Sequence, residues 1–304
     1  MGKVLLTGAT GFVGNFLTHQ LKDFRCVIRG RVPQDFNDYH KIERIDGFTN
    51  WDGAFRDIEC VLHLAGLAHN KSVTDSQYHE VNYEGTIQLA REAVTSGVKR
   101  FVYVSSIGVN GCSTGNTPFT ITSEPKAHNA YSQSKLHAEQ GLKDISIETG
   151  LEVIIVRPTL VYGPNAPGNF GTLTRIVNKF PFLPFGLANN RRDFISVQNL
   201  VDLLIVCTEH PDAPGHTFLA SDMETVSIKE FTNSIAKGLG KNLIQIPIPI
   251  SFMHIVAGIL GKSTMAEQLL GNLEVDSSNA RDVLGWAPPY TMKQAMYSLS
   301  ESKK

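Results

Sequence analysis

The chain has 304 residues, of which 42% are hydrophobic, and its 28 basic and 29 acidic residues leave a formal net charge of −1. This length and composition exclude a disordered chain and predict a globular protein with one large domain, or one with a small partner. The near-neutral charge gives no electrostatic reason to expect a nucleic acid or an anionic membrane as a partner, so we expect a small molecule.

The cysteines and the first residues bear on where the protein works. Cys26, Cys60, Cys112 and Cys207 form no C-x-x-C pair, which is typical of reduced cysteines and indicates neither a disulfide nor a zinc site. We therefore predict no bound metal. The first residues lack a basic region followed by a long apolar core, so we expect a cytoplasmic protein.

The longest apolar stretch covers residues 243–260. Gln245, two prolines, Ser251 and His254 interrupt it, so it is too short and too interrupted to cross a bilayer. We predict a core helix at this position.

The first predicted element is a strand over residues 3–7, rich in valine and leucine as buried parallel strands are. Gly8, Gly11 and Gly14 follow directly, and an apolar helix pattern covers residues 15–22. The glycines allow a tight turn, a close backbone approach to a pyrophosphate, and close packing of the helix on the strand. The helix N-terminus then stabilises the anion. This order predicts a dinucleotide site with contacts from Gly8, Thr10, Gly11, Phe12 and Val13.

The second predicted strand covers residues 25–29, and its end should lie beside the adenosine ribose. An NAD site usually has a carboxylate there to bind the ribose 2′-hydroxyl, but this chain has Arg29 and Arg31 instead. Arginines suit a 2′-phosphate, which favours NADP over NAD. The alternative is that both arginines are solvated loop charges.

The third and fourth predicted strands lead to further cofactor contacts. Residues 41–46 form a weak strand pattern, and Asp46 and Gly47 at its end are placed to contact adenine. Residues 60–66 form a strong strand that ends in small residues, as a close approach to a cofactor requires. His63 lies inside this apolar strand, where a packed core residue is more common than a ligand or base. The contacts predicted at the strand end are Leu64, Ala65 and Gly66.

The fifth predicted strand, residues 100–104, ends in Ser105 and Ser106. Open α/β sheets bind ligands at this edge, so Ser105 is placed to contact the cofactor and Ser106 the substrate. Before this strand, Asn82 opens a helix pattern over residues 84–96 and is also predicted to contact the cofactor.

Tyr131 and Lys135 lie four positions apart at the start of the next helix pattern, and therefore on one helix face. An ammonium beside a phenol favours the phenolate and lowers its pKa from about 10, which makes the tyrosine a usable base. Ser106 precedes Tyr131 by 25 positions and can hydrogen-bond the same substrate oxygen. We predict Ser106, Tyr131 and Lys135 as catalytic residues, with Tyr131 and Lys135 also contacting the cofactor.

These residues resemble the extended branch of the short-chain dehydrogenase/reductase superfamily. The spacing G-x-x-G-x-x-G and the Ser–Tyr–Lys pattern carry the resemblance. Over nearly its whole length the chain is similar to the NAD-dependent epimerase/dehydratase family, in the nucleotide-sugar branch that includes UDP-glucose 4-epimerases. The resemblance implies that Pro158 contacts nicotinamide and that Asn169 and Arg192 hold a sugar-nucleotide pyrophosphate. Arg192 and its neighbours would alternatively form only a local surface ion pair.

Two departures from the family narrow the function. The second pyrophosphate arginine of many UDP-galactose 4-epimerases has no counterpart between residues 265 and 275, which leaves the substrate open. Family dehydratases place an acidic pair after the catalytic hydroxyl, whereas Ile107 and Gly108 follow Ser106 here, which disfavours a 4,6-dehydratase.

The resemblance implies a fold and a function together. The expected fold is α/β, a doubly wound parallel sheet of the Rossmann type over residues 1–163 and 193–225, with a smaller substrate-binding subdomain over residues 164–192 and 226–304. The expected activity is NAD- or NADP-dependent oxidoreduction at carbon 4 of a UDP-hexose or UDP-N-acetylhexosamine, as an epimerase or a 4-keto reductase. Alternatives are a non-enzymatic NAD(P)-sensing protein and a reductase of a non-sugar carbonyl compound. The resemblance also implies a homodimer through helices over residues 84–96 and 138–148.

Overall fold

The computed structural model describes residues 2–34, 36–68, 73–259, 261 and 263–301. Its strands are β1 (Lys3–Thr7), β2 (Phe24–Arg29), β3 (Tyr39–Ile42), β4 (Ile58–His63), β5 (Arg100–Val104), β6 (Glu152–Pro158), β7 (Leu160–Tyr162), β8 (Phe182–Leu183), β9 (Phe194–Ser196), β10 (Thr217–Ala220) and β11 (Ile244–Gln245).

Helices lie on both faces of the sheet and in the segments outside it. They are α1 (Phe12–Thr18), α2 (Asp75–His79), α3 (Gly85–Thr95), α4 (Ala130–Thr149), α5 (Gly168–Lys179), α6 (Val197–Glu209), α7 (Ile228–Gly238), α8 (Ile250–Ile259), α9 (Ser263–Leu270), α10 (Ser278–Leu284) and α11 (Met292–Glu301). A π-helical turn, Glu80–Glu84, joins α2 to α3, and a 3-10 turn, Ile107–Val109, follows β5. No helix in the described ranges is long and apolar enough to cross a membrane.

Seven parallel strands form the central sheet in the order β10-β6-β5-β4-β1-β2-β3. The chain runs outward from β1 to β3 and then crosses to β4 on the other side of β1. At such a reversal the carboxyl ends of the strands open a crevice that binds ligands. The predicted doubly wound parallel sheet is confirmed.

Helices cover both faces of the sheet, and successive side chains of a strand point to opposite faces. Val4 and Leu6 belong to the cluster on the face that carries α1 and α6, and Leu5 belongs to the cluster under α3 and α4. Burial on both sides explains why the strands read as continuous apolar runs.

A third apolar cluster lies outside the sheet. It joins residues of α5, α7 and α11 with β9, and its centre is Phe231, which stacks on Phe194 with ring centroids 3.7 Å apart. These residues come largely from the segments that we predict as the smaller subdomain, but the division of the chain into two units stays a prediction.

Several predicted boundaries differ from the structure. The first helix, predicted over residues 15–22, is Phe12–Thr18, because it begins directly after the glycine turn. The third strand is Tyr39–Ile42, because the chain from Asp46 onward turns: the Asp46 carboxylate accepts hydrogen bonds from the Phe48 N–H and the Thr49 hydroxyl. The second helical region begins at Asp75, because Thr74 forms a capping box with Gln77. The fourth strand ends at His63, and Leu64 to Gly66 continue beyond it.

The predicted core helix within residues 243–260 is wrong. None of the residues of α8 is fully buried, and Leu260 lies outside the described residues. Only one side of α8, which carries Ile250, Met253 and Ala257, packs against the third cluster. Its other side remains exposed.

Candidate active site

The glycine turn after β1 forms a backbone cradle. Gly8 has a φ of +75°, which favours glycine, and its carbonyl accepts a hydrogen bond from the Gly11 N–H at 2.9 Å. A Cβ on Gly14 would lie 2.1 Å from the Gly8 oxygen, so only glycine allows α1 to pack this closely. Thr10, Gly11, Phe12 and Val13 lead into α1, whose first N–H groups have no side-chain cap. This arrangement fits the pyrophosphate of a dinucleotide.

The end of β4 lies beside this turn. The Leu64 N–H donates to the Thr7 carbonyl at 3.3 Å, and the Ala65 N–H donates to the Thr7 hydroxyl at 3.2 Å. A Cβ on Gly66 would lie 2.8 Å from the Asn82 Oδ1 and 3.4 Å from the Lys135 Nζ. The backbone of residues 64–66 therefore runs between the glycine turn and Lys135.

His63 is a core residue, as the sequence predicts. It is fully buried, and its ring nitrogens contact the Thr7 hydroxyl at 2.7 Å and the Thr86 hydroxyl at 3.0 Å. Burial, with a smaller effect of the Lys135 charge, lowers the pKa of His63 to about 3. The ring is therefore neutral at physiological pH and ties β1, β4 and α3 together.

Asn82 lies in the π-helical turn and not at the start of a helix. Its side chain is fully buried, accepts from the Leu67 N–H at 2.7 Å and donates to the Leu67 carbonyl and the Ser134 hydroxyl, both at 3.0 Å. It thus joins the loop after β4 to α4. π turns are frequent at functional sites.

The three predicted catalytic residues come together at the carboxyl edge of the sheet. Tyr131 and Lys135 lie on the first turns of α4, and the Ser106 side chain, which follows β5, lies close enough to the Tyr131 phenol to lower its pKa. Ser106 and Tyr131 are half-buried, so a substrate can reach them, whereas Lys135 is buried. The Lys135 ammonium donates to the Val104 carbonyl at 2.9 Å and lies 4.7 Å from the centre of the Tyr103 ring.

The predicted effect of Lys135 on Tyr131 is not what the structure shows. Burial raises the pKa of Tyr131 and the neighbouring Ser106 hydroxyl partly offsets this, whereas Lys135 is not among the groups that shift it. The reason is that the ammonium is directed at the Val104 carbonyl and the face of Tyr103. Tyr131 is therefore a neutral phenol, a form that donates a proton.

Lys135 should make activity depend on pH. Burial lowers the pKa of Lys135 to about 8, and the Glu139 carboxylate acts in the opposite direction. The side chain is charged below this pH and loses its proton above it, so we expect turnover to fall as the pH rises through about 8. A profile of kcat/KM against pH tests this, with the circular dichroism spectrum recorded at each pH as the control for folding. A rate that stays constant up to pH 10 would contradict the requirement for a charged lysine.

A buried network that sequence reasoning missed lies behind these residues. The Ser105 hydroxyl donates to Glu139 at 2.5 Å, Arg157 pairs with the same carboxylate through two nitrogens, and Arg157 also donates to the Asn110 Oδ1 at 2.9 Å. All four side chains are nearly fully buried. The network joins β5, α4 and β6, and it occupies the hydroxyl of Ser105, which was predicted as a cofactor contact. Glu139 follows Lys135 by four positions, so the sequence could have placed Glu139 on the same helix face, but not its partners.

Tyr78 is a second missed neighbour. It lies on α2, is buried, and packs its ring against the edge of Tyr131 with centroids 6.1 Å apart. Only the fold brings these residues together, because 53 positions separate them in the sequence.

The residues predicted to hold adenosine lie at the ends of β2 and β3. Arg29 and Arg31 are exposed, whereas the Asp46 side chain is buried and forms an ion pair with Arg44. A Cβ on Gly47 would lie 3.5 Å from the Glu84 side chain. Asp46 therefore shapes its own turn, and its contact with adenine stays a prediction.

The residues that the resemblance places beside nicotinamide and the sugar-nucleotide pyrophosphate differ in how far they are buried. Pro158 is buried at the end of β6, and Asn169 is exposed on α5. Arg192 is only 8% exposed and donates to the Gly271 carbonyl at 2.9 Å, and burial lowers its pKa to about 10. No carboxylate pairs with Arg192 among the described residues.

A cavity of about 420 Å³ lies along the loop that follows Ser106. It is lined by residues between Asn110 and Lys126. Its lining residue Thr114 donates to the Asn272 carbonyl at 2.9 Å, beside the segment that Arg192 contacts. Within the described ranges no group of three metal-binding side chains occurs.

The strand order, the glycine turn and the Ser–Tyr–Lys group at the sheet edge define an NAD(P)-dependent enzyme of the extended short-chain dehydrogenase/reductase type. Residues 4–220 match the model of the NAD dependent epimerase/dehydratase family, and the chain belongs to this family.

Known proteins resemble the chain over almost its full length. It is 36% identical over 310 residues to a UDP-glucose 4-epimerase of Vibrio cholerae, covering 98% of this chain and 94% of the relative. It is 27% identical over 329 residues to a 3-beta-hydroxysteroid dehydrogenase of Mycolicibacterium neoaurum, covering 97% and 90%. The crystal structure of a UDP-N-acetylglucosamine 4-epimerase from Bacillus cereus shares the fold, with a TM-score of 0.79 and 20% identity over 99% of both chains.

Proposed function

We propose that the protein catalyses NAD(P)-dependent oxidoreduction at carbon 4 of a UDP-hexose or UDP-N-acetylhexosamine, as a 4-epimerase or as a 4-keto reductase. The observation that carries the reaction type is the placement of Ser106, Tyr131 and Lys135 together at the sheet edge, with Lys135 one helical turn from Tyr131. An NAD(P)-sensing protein without activity would have no need of this group. The similarity to a UDP-glucose 4-epimerase supports the sugar substrate.

In the proposed mechanism these side chains handle the proton. Tyr131 gives a proton to, or takes it from, the 4-oxygen of the sugar, and Ser106 hydrogen-bonds the same oxygen to hold it in place. The Lys135 ammonium, one helical turn from Tyr131, would donate to the ribose hydroxyls of the cofactor. When bound in the cradle formed by Gly8, Gly11 and Gly14, the nicotinamide dinucleotide supplies the hydride chemistry.

Arg192 supports a phosphate-bearing substrate. A buried guanidinium is costly unless an anion or several acceptors compensate it, and in the described residues Arg192 has one neutral carbonyl. A surface pair between Arg192 and Asp193 has no support here, because Asp193 accepts from the Thr225 hydroxyl at 2.6 Å and the Val275 N–H at 2.7 Å. We infer that Arg192 binds the pyrophosphate of the sugar nucleotide, with Asn169 as a further contact.

Replacing Arg192 tests this role. Arg192→Ala should weaken UDP binding by about 1.5–3 kcal/mol, the scale of charge-assisted hydrogen bonds, and leave NADP(H) binding unchanged. Isothermal titration with UDP measures the effect. The matched control is Arg191→Ala, because Arg191 is exposed and pairs with Glu274. Equal losses in both variants, or none in Arg192→Ala, would remove Arg192 as the anchor.

The substrate itself can be identified by incubation with UDP-glucose, UDP-N-acetylglucosamine and a 4-keto-6-deoxy derivative, with and without NADPH. Conversion without net loss of NADPH indicates an epimerase, and stoichiometric oxidation indicates a reductase. If UDP fails to bind at millimolar concentration, the sugar-nucleotide proposal is wrong. A non-sugar carbonyl substrate, as the similarity to a hydroxysteroid dehydrogenase allows, would then be the leading candidate.

The cofactor preference is a separate proposal. Arg29 and Arg31 are exposed at the end of β2, where they can meet a 2′-phosphate, so we expect NADP(H) to bind at least as tightly as NAD(H). Fluorescence titration of both cofactors gives the ratio. Arg29→Ala should weaken only NADP(H), with Arg56→Ala, another exposed arginine, as the control. Tenfold tighter binding of NAD(H), about 1.4 kcal/mol, would contradict the proposal.

A further inference from the structure

Exposed apolar side chains are concentrated in one part of the molecule. In the described part of the chain, 16 large hydrophobic side chains are exposed, and ten of them lie in residues 164–192 and 226–262. Single exposed apolar residues are normal, whereas a contiguous set marks an interaction surface.

Strand pairing brings some of these side chains together, and α8 follows them closely in the chain. β8 pairs with β11, which places Phe182 beside Ile244, and the Gly186 N–H donates to the Ile246 carbonyl at 2.9 Å. α8 begins four residues after Ile246. We call this surface the apolar face, and its members are Phe180, Phe182, Ile244, Ile246, Phe252, Ile255, Val256 and Ile259.

α8 contributes an outward stripe to the apolar face. Phe252, Ile255, Val256 and Ile259 follow the spacing of one helix face and are exposed by 55%, 61%, 38% and 80%. The opposite side of the helix packs against the third apolar cluster. A helix that is apolar on both sides is normally covered on both, so the outward stripe requires an apolar partner.

Lysines lie at the edge of the apolar face that carries Phe180. Residues 164–192 and 226–262 contain eight lysines and arginines but one acidic residue, Glu230; of the eight, Arg192 is buried and Arg191 pairs with Glu274. Lys179 lies 5.5 Å from the Phe180 ring centre, and Lys241 donates to the Asn178 carbonyl. The net charge of the whole chain is −1 and gave no reason to expect an anionic membrane. It does not report how the basic and acidic residues are distributed along the chain.

We propose that the apolar face binds the surface of an anionic lipid bilayer, with α8 lying in the plane of the interface. Apolar side chains at the centre and lysines at the edge are the pattern of interfacial helices. A second copy of the chain fits less well, because a two-fold interface would bring the same basic edge against itself. This proposal does not depend on the sugar chemistry, because its test measures lipid binding and not turnover.

The test is sedimentation of the full chain with vesicles of phosphatidylcholine, alone or mixed with phosphatidylglycerol. We expect binding to the mixed vesicles that weakens as salt is added, because salt screens the lysines. Ile255→Glu/Ile259→Glu should reduce binding by about tenfold or more, since it places charge on the inserted stripe. Lys179→Gln/Lys241→Gln should also reduce binding, by about tenfold at low salt.

Matched controls separate a surface effect from a general one. Tyr297→Glu changes another exposed apolar side chain outside the apolar face, and Lys22→Gln/Lys99→Gln removes two exposed lysines elsewhere. Both should bind like the unaltered protein. No sedimentation with the mixed vesicles, or equal binding by the Ile255→Glu/Ile259→Glu variant, would overturn the proposal. So would light scattering that shows this variant to split a dimer, which would assign the apolar face to a second copy.

Discussion

Tyr131→Phe is expected to lower kcat by about 100-fold or more, since a positioned acid/base residue contributes on the order of 10²–10⁴ in rate. The substitution removes the phenolic oxygen beside Ser106 but keeps the ring that packs against Tyr78. Cofactor affinity should therefore stay as it is. Steady-state kinetics on the substrate identified by incubation, with cofactor titration alongside, measure both quantities.

Tyr78→Phe is the matched control, because it makes the same chemical change one ring away from Tyr131. We expect it to keep most of the activity. A residual activity of more than about a tenth in Tyr131→Phe, a loss below about 1.4 kcal/mol of barrier, would show that Tyr131 is not the acid/base. Comparable losses in both variants would argue against assigning the role to Tyr131 alone.

Glu139→Gln is expected to destabilise the fold by about 3–5 kcal/mol. The variant leaves the buried Arg157 guanidinium without its carboxylate, and an unpaired buried charge is among the most costly single changes. Denaturant unfolding monitored by circular dichroism gives the free energy. Activity should fall as well, because the network connects the strand that leads to Ser106 with the helix that carries Tyr131 and Lys135.

The control for Glu139→Gln is the same change in a more exposed pair. Glu152 pairs with Arg100 at 2.8 Å, but its side chain is 41% exposed, so Glu152→Gln should cost less than about 1 kcal/mol. Adding Arg157→Met to Glu139→Gln should recover part of the lost stability, because it removes the unpaired charge. If Glu139→Gln unfolds with the same free energy as Glu152→Gln, the buried network contributes nothing special to stability.

The sequence was most informative where spacing along one element determines geometry. The glycine turn and the pair Tyr131–Lys135 are local patterns, and the strands are apolar runs, so the fold class and the family could be predicted before any coordinates. The proximity of Ser106 and Tyr131 could also be predicted from the sequence, because both residues lie at the same edge of a parallel sheet.

The remainder depends on contacts between distant segments. The partners of Glu139 lie on β5 and β6, so no single pattern reveals the network. The pKa of Tyr131 was predicted in the wrong direction because burial, which spacing does not report, has the largest effect. The exposed side of α8 was missed for a similar reason: composition indicates that a segment is apolar but not whether another element covers it. The homodimer and the two-unit division remain predictions.

The π-helical turn at Glu80–Glu84 gives this region an unusual intolerance to changes in length. Each residue of an α-helix turns the next side chain by about 100° about the helix axis. The wider π-helical turn therefore changes the direction in which the side chains of α3 point relative to those of α2. With this turn in place, Tyr78 on α2 packs against Tyr131, and Leu89, Ala90 and Ala93 on α3 enter the core. Deleting one codon in this turn would restore a regular helix, but only by turning one of these two faces away from its partner. Such a deletion should therefore be selected against even though every remaining side chain is unchanged.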